Sequence, residues 1–327
     1  MKRIYLFAAV TAIALAACTK TETTGVSEGN LIKFDNAFVG NPTKAGLATD
    51  DQYGTSNLPS HFFVYANTSP SDVVFENTKV YLLNNQWVYD DLETWSQGST
   101  YKFTAYSVSN ETGLPAENGT VTYDYDEGKL TIAGYTSNDN YQQDLLLAAS
   151  SQTLTDSNEP VNFGFGHALA MVKFTFQSSL GDNNPVKITD FTVSGMYTKG
   201  DVSVTTTGIE WTAQSNEDPA VAFTDNTWTN ITTTTPVSSD EFVVIPQSTG
   251  TVTVNFKAQV GSASPVDLKA EINIGDVVNG WEYGKRYNYT ATITGTDMNV
   301  IEFSAPTVDD WPTYTAPNDE TDLTTGN

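Results

Sequence analysis

Residues 251–274 read TVTVNFKAQVGSASPVDLKAEINI. Val252, Val254, Phe256, Ala258 and Val260 alternate with polar neighbours, which in an extended chain sets all five on one face. Residues 261–265 interrupt the alternation with Gly261 and Pro265, and Val266, Leu268, Ala270, Ile272 and Ile274 resume it. Two period-2 runs around a turn predict an antiparallel hairpin with one buried face. The same period recurs on both sides of it. Tyr101, Phe103 and Ala105 alternate; so do Val121, Tyr123 and Tyr125, then Leu130 and Ile132 after the turn Asp126-Glu127-Gly128; so do Tyr287, Tyr289, Ala291 and Ile293. No stretch holds a capped 3.6-residue period, and only residues 142–150 leave room for a short helix. Many short strands parted by polar turns predict an all-β chain of antiparallel sandwiches.

Size and charge narrow the function. At 327 residues the chain suits about two domains. Its 15 Lys and Arg against 39 Asp and Glu give a net charge of −24, which repels phosphate backbones, so nucleic acid is not a partner. Two histidines and one cysteine leave little material for zinc sites, Cys/His catalysis or a disulfide framework.

Nor do the chemical motifs appear. There is no G-x-S-x-G elbow, P-loop or G-x-G-x-x-G. His61 and His167 lie about a hundred residues apart, and His167, just ahead of a hydrophobic run, reads as a structural histidine. Asp90-Asp91, Asp309-Asp310 and the Asp124/Asp126 pair read as solvated loop charges or weak Ca²⁺ ligands, since none fits a twelve-residue calcium loop. The expectation is therefore no catalytic residue, no metal and no cofactor. Of the six tryptophans, Trp211 and Trp228 lie in a Thr/Asn/Asp-rich region and are the candidates for exposed glycan contacts.

The N-terminus is a targeting segment. Lys2 and Arg3 precede an apolar run over residues 4–17, too short for a stop-transfer span. Leu15-Ala16-Ala17-Cys18 follows the lipobox pattern of bacterial lipoproteins. There the cysteine thiol is alkylated by diacylglycerol and the peptide is cut before it. Cys18 is the only cysteine, so it is the predicted lipidation site, and its acyl chains would give a stable membrane anchor. The resulting division is a signal peptide over 1–17, a polar tether over 18–30, an N-terminal sandwich over 31–154, a C-terminal sandwich over 155–311 and a polar tail over 312–327. The middle boundary falls in the polar stretch 151–162.

Four ordered blocks carry a family resemblance. The first is Trp95-Ser96-Gln97-Gly98 with Tyr101-Lys102-Phe103-Thr104-Ala105-Tyr106. The second is Asp144-Leu145-Leu146-Leu147-Ala148, then Val161-Asn162-Phe163 and residues 167–174, HALAMVKF. Val243-Val244-Ile245-Pro246-Gln247 is the third. Residues 280–289, GWEYGKRYNY, with Ile301-Glu302-Phe303 and Asp309-Asp310-Trp311, close the set. In this order, behind a lipobox, they resemble the fimbrillins, lipoprotein subunits of the type V pili of Gram-negative anaerobes and related surface proteins.

The resemblance implies two tandem β-sandwiches of transthyretin-like, Greek-key type and a non-enzymatic, cell-surface or fimbrial protein. It also implies donor-strand exchange with other fimbrial subunits. In that process an extracellular protease removes the first strand and a partner's strand fills the groove. Here the first strand is residues 31–39, LIKFDNAFV, with Ile32, Phe34 and Phe38 or Val39 facing inward and a bulge deciding between the last two. Lys44 is the candidate cut site or an ordinary surface lysine. Residues 319–327, DETDLTTGN, hold almost nothing apolar to donate, which favours a tip or accessory adhesive subunit over a shaft subunit. The alternative is a surface glycan-binding lipoprotein that does not polymerise. In either reading a host or bacterial surface protein or glycan is the outside partner.

Overall fold

A computed structural model of the chain describes residues 30–39, 60–69, 72–84, 86–137, 141–154, 159–215, 222–224, 227–295 and 301–311, with residues 36–39 and 222–224 described as backbone only. The signal segment, Cys18, Lys44 and the tail 312–327 lie outside the described residues. The first strands are β1 (Phe34–Val39), β2 (His61–Ser69), β3 (Asp72–Leu83), β4 (Gln86–Val88), β5 (Thr100–Ser107), β6 (Thr120–Asp124), β7 (Lys129–Thr136), β8 (Leu146–Thr153) and β9 (Val161–His167). Then come β10 (Ala170–Ser178), β11 (Val186–Ser194), β12 (Lys199–Thr205), β13 (Gly208–Ser215), β14 (Ala222–Thr224) and β15 (Trp228–Ile231). The last are β16 (Val237–Ser238), β17 (Phe242–Val244), β18 (Thr251–Val260), β19 (Val266–Asn273), β20 (Lys285–Ile293) and β21 (Thr307–Asp310). Among the described residues, helix is confined to 3₁₀ turns such as Ala116–Asn118 and Ile274–Asp276. The chain is all-β, as its alternation predicts.

The hairpin read from residues 251–274 forms as β18 and β19, paired without a register shift from Thr251↔Asn273 to Ala258↔Val266. The turn at residues 126–128 also forms: Asp124 Oδ1 accepts from the Asp126 and Glu127 amides, and Gly128 takes φ +67°. Residues 142–150 depart from expectation. Most of them enter β8, which pairs with β5 along its whole length from Thr100↔Thr153 to Ser107↔Leu146. The ladder outweighs a weak local helical preference.

Among the described residues, three apolar cores organise four sheets. The seven-stranded sheet runs β1-β9-β8-β5-β2-β3-β4. One of its faces curls around Phe62, Val64, Phe75, Phe103 and Phe163. A second core lies between the sheet β16-β10-β20-β21, with β17 beside β10, and the sheet β14-β11-β18-β19, with β15 beside β11. The third core joins the halves. Phe63, Tyr106 and Leu147, on the other face of the seven-stranded sheet, meet Leu130 and Ile132 of β7, Val202 and Val204 of β12, and Val243 next to them. The four-stranded sheet β13-β12-β7-β6 takes two strands from each side of residues 151–162. Strand β2 thus serves two cores, Phe62 and Val64 pointing into one and Phe63 and Tyr65 into the other. Its first seven residues are all buried, which is why HFFVYA reads as a continuous run and not as an alternation.

Candidate functional site

The N-terminal strand is seated between two sheet margins. On one side β1 pairs parallel with β9, Phe34 opposite Val161 and Val39 opposite Phe165. On the other, the residues just ahead of β1 hold the segment that follows β4: Leu31 bridges Thr94, the Ile32 amide donates to Glu93 O at 2.9 Å and the Trp95 amide to Asn30 O at 2.8 Å. Residues 30–39 therefore link β9 at one margin of the seven-stranded sheet to the segment that follows β4 at the other. A register shift falls between Asp35 and Phe38.

Alternation directs the side chains. Ile32 is 1% exposed and Phe34 5%, while Lys33 and Asp35 between them are exposed. Phe34 meets five rings: Phe62 at 5.6 Å, Phe75 and Tyr89 each at 5.7 Å, Phe163 stacked at 5.9 Å and Phe103 at 6.4 Å. Three of these contacts are edge-to-face, the favoured aromatic geometry. Tyr89 adds a polar lock: its hydroxyl donates to Ile32 O at 2.7 Å. Burial pushes this phenol up to about 12, so it remains a neutral donor. Two buried apolar side chains at about 1.5–3 kcal/mol each make the strand worth a large part of a domain's stability. Taking it away would uncover a slot floored by phenylalanines and flanked by unpaired strand edges.

The remaining sequence candidates fall elsewhere. The backbone of Phe38 and Val39 belongs to β1, opposite Gly164 and Phe165, and their side chains lie outside the described residues, as do Cys18 and Lys44. Trp211 and Trp228 are not brought together. Trp211 is half-buried, donates from Nε1 to Ala168 O at 2.6 Å and meets Tyr135 edge-on at 5.8 Å. Trp228, also half-buried, packs on Phe191 at 5.4 Å and Phe176 at 5.9 Å. Each indole thus has one side committed to packing.

The histidines are bound into the scaffold. His61 Nε2 lies 3.0 Å from Asn110 O. His167 donates from Nδ1 to Asp144 Oδ2 at 2.7 Å and stacks on Trp311 at 4.2 Å, with the rings 7° from parallel. Asp310 pairs with Lys285, and among the described residues no three acidic, His or Cys side chains are grouped to hold a metal. Phe103 and Phe163 stand in the aromatic blocks read from the sequence, whereas sequence reasoning missed Tyr89, Phe62 and Phe75. Each acts through a partner distant in the chain, Tyr89 on Ile32 for example, so no local spacing announced it.

A sequence profile described as fimbrillin-like matches residues 47–311. The chain belongs to the fimbrillin-like family. The match begins after β1, so it covers the slot's walls and not the strand that fills it. No curated protein matches this fimbrillin-like chain in sequence. Among solved structures it is similar to a candidate cell adhesion protein from Bacteroides uniformis, with 16% identity and a TM-score of 0.51 over 88% of this chain and 100% of that one. A candidate cell adhesion protein from Bacteroides ovatus gives 14% identity and a TM-score of 0.52 over 86% of this chain and 96% of that one. At such identities the likeness concerns the fold.

Proposed function

We propose that this chain is a non-enzymatic surface lipoprotein and a fimbrial subunit. In this reading acyl chains on Cys18 hold it in the outer membrane, and other subunits join it by donor-strand exchange at a tip or accessory adhesive position. The observation that carries the proposal is the seating of residues 31–39. One short N-terminal segment fills an aromatic slot, links two margins of a sheet, and is followed by the candidate cut site Lys44. An incoming strand that alternates apolar and polar residues could reproduce those contacts, with main-chain hydrogen bonds supplying affinity and the Phe34 position supplying specificity.

The test is limited trypsin digestion of the chain lacking residues 1–18. Cleavage after Lys44, release of the strand, a lowered melting temperature and its rescue by an alternating peptide are expected. A cut chain that melts unchanged and ignores such peptides would overturn the exchange mechanism. The anchor is tested separately. Cys18→Ser should leave the signal segment uncut and abolish partition with the outer membrane; wild-type partition by the variant would rule the anchor out.

A further inference from the structure

A second edge of the molecule, far in sequence from β1, carries its own message. Strand β19 ends the sheet β14-β11-β18-β19, and among the described residues no strand pairs with its outer side. It is eight residues long, holds no proline, and follows β18 through eight consecutive pairs without a bulge. Edges this long and regular are usually shortened, bulged or covered, because their free amides and carbonyls invite pairing. The inward side chains of β19 are also sealed less well than their neighbours. Leu268, Ala270 and Ile272 are 9%, 8% and 8% exposed, whereas Val252, Val254 and Ala258 of β18 are at 0%. One more strand would seal all three.

The charges on the outer face of β19 select which strand. Asp267, Lys269 and Glu271 alternate in sign along it, and Lys269 and Glu271, 56% and 58% exposed, already contact each other. We propose that β19 pairs antiparallel with β19 of a second copy, about a two-fold axis at Ala270. In that register Lys269 faces the partner's Glu271 and Glu271 faces the partner's Lys269. On the inner face Leu268 meets the partner's Ile272, so the two cores run on as one sheet. A two-fold at Lys269 would oppose Lys269 to itself and Asp267 to Glu271, all like charges. A two-fold at Leu268 would keep Asp267 against Lys269 but would bring Pro265, which has no amide hydrogen, into the ladder and pair only residues 266–270. Registers shifted by an odd number would turn one copy's inner face to solvent. The self-complementary charges therefore select one register and one occupant, a second copy of this chain. β1 and Lys44 take no part, so this contact stands or falls independently of strand exchange.

Cysteine crosslinking and sedimentation of the full chain test it. Across the axis of an antiparallel pair the two Cα atoms lie about 4.5–5.5 Å apart, within disulfide reach. Ala270→Cys should therefore give a disulfide-linked dimer on oxidation in cell envelopes and in detergent, beyond the little that unlipidated wild-type precursor, with its free Cys18 thiol, can form. Lys269→Cys should not. Sedimentation should show that Lys269→Glu raises the dimer dissociation constant roughly tenfold, since two attractive cross-strand pairs become repulsive. The double variant Lys269→Glu/Glu271→Lys should restore it. A wild-type chain that stays monomeric, crosslinking through Lys269→Cys instead of Ala270→Cys, capture of a different protein at position 270, or failure of the charge swap would each overturn the proposal. The charge variants are exposed, so they remain informative even if Ala270→Cys disturbs folding.

Discussion

Phe34 and Tyr89 show how much one strand can depend on two side chains. Truncating Phe34 to alanine removes the ring on which five others pack. A loss of about 3–5 kcal/mol is expected, read by chemical denaturation, with Phe34→Leu costing less because more of the volume is kept. Tyrosine ionisation gives a second expectation. Tyr89 and Tyr106 are pushed up to about 12, mainly by burial, from an ordinary value of 10. A folded value above the unfolded one means that the neutral form is favoured in the fold. Their contribution is complete below about pH 10 and is lost as pH rises from about 10 towards about 12. Melting temperatures should hold to about pH 9 and fall steeply by about pH 11. A melting temperature at about pH 11 equal to that at neutral pH would contradict this.

At the scale of elements, β21 is held lightly along its own length. All four of its residues are exposed, and it hangs on β20 from Lys285↔Asp310 to Asn288↔Thr307. Its anchor is the next residue. Trp311 is 1% exposed, donates its amide to Gly284 O at 2.8 Å and stacks on His167 in the core that joins the two halves. Trp311→Ala should therefore free β21 without unfolding β20. Hydrogen exchange should rise sharply at residues 307–310 while the amides of β10, which flank β20 on its other side, stay protected. Equal loss of protection across both strands would show that Trp311 supports the whole sheet instead.

The whole molecule is tied together across its middle. Besides the shared sheet, Gln142 accepts from the Val243 amide at 2.7 Å and donates to Val243 O at 3.1 Å, so a side-chain amide stands in for a strand in pairing with that residue. The halves flanking residues 151–162 should then unfold in one transition, seen as coincident denaturation curves by tryptophan fluorescence and circular dichroism. A fragment over residues 155–311 should be poorly soluble, because β12 would lose β7 and leave Val202 and Val204 uncovered. Two separate transitions, or a well-folded fragment, would mean that each half carries its own stability.

Alternation alone determined the all-β class, the hairpin of β18 and β19 and the inward set Ile32 and Phe34, because those properties follow from a two-residue period that each segment carries within itself. The ordered aromatic blocks likewise carry the family's signature in the sequence itself. Tertiary structure decided the rest. The parallel pairing of β1 with β9 joins residues more than a hundred positions apart. The doubly buried β2 has no polar face to display a period. The sheet shared by β7 and β12 joins strands from both sides of the polar stretch 151–162, whose composition reads as a boundary. Residues 146–150 became strand because β5 and β9 lay ready on either side. In each case what fixes the outcome is which surfaces meet in space, and a chain read one residue after another holds no record of that.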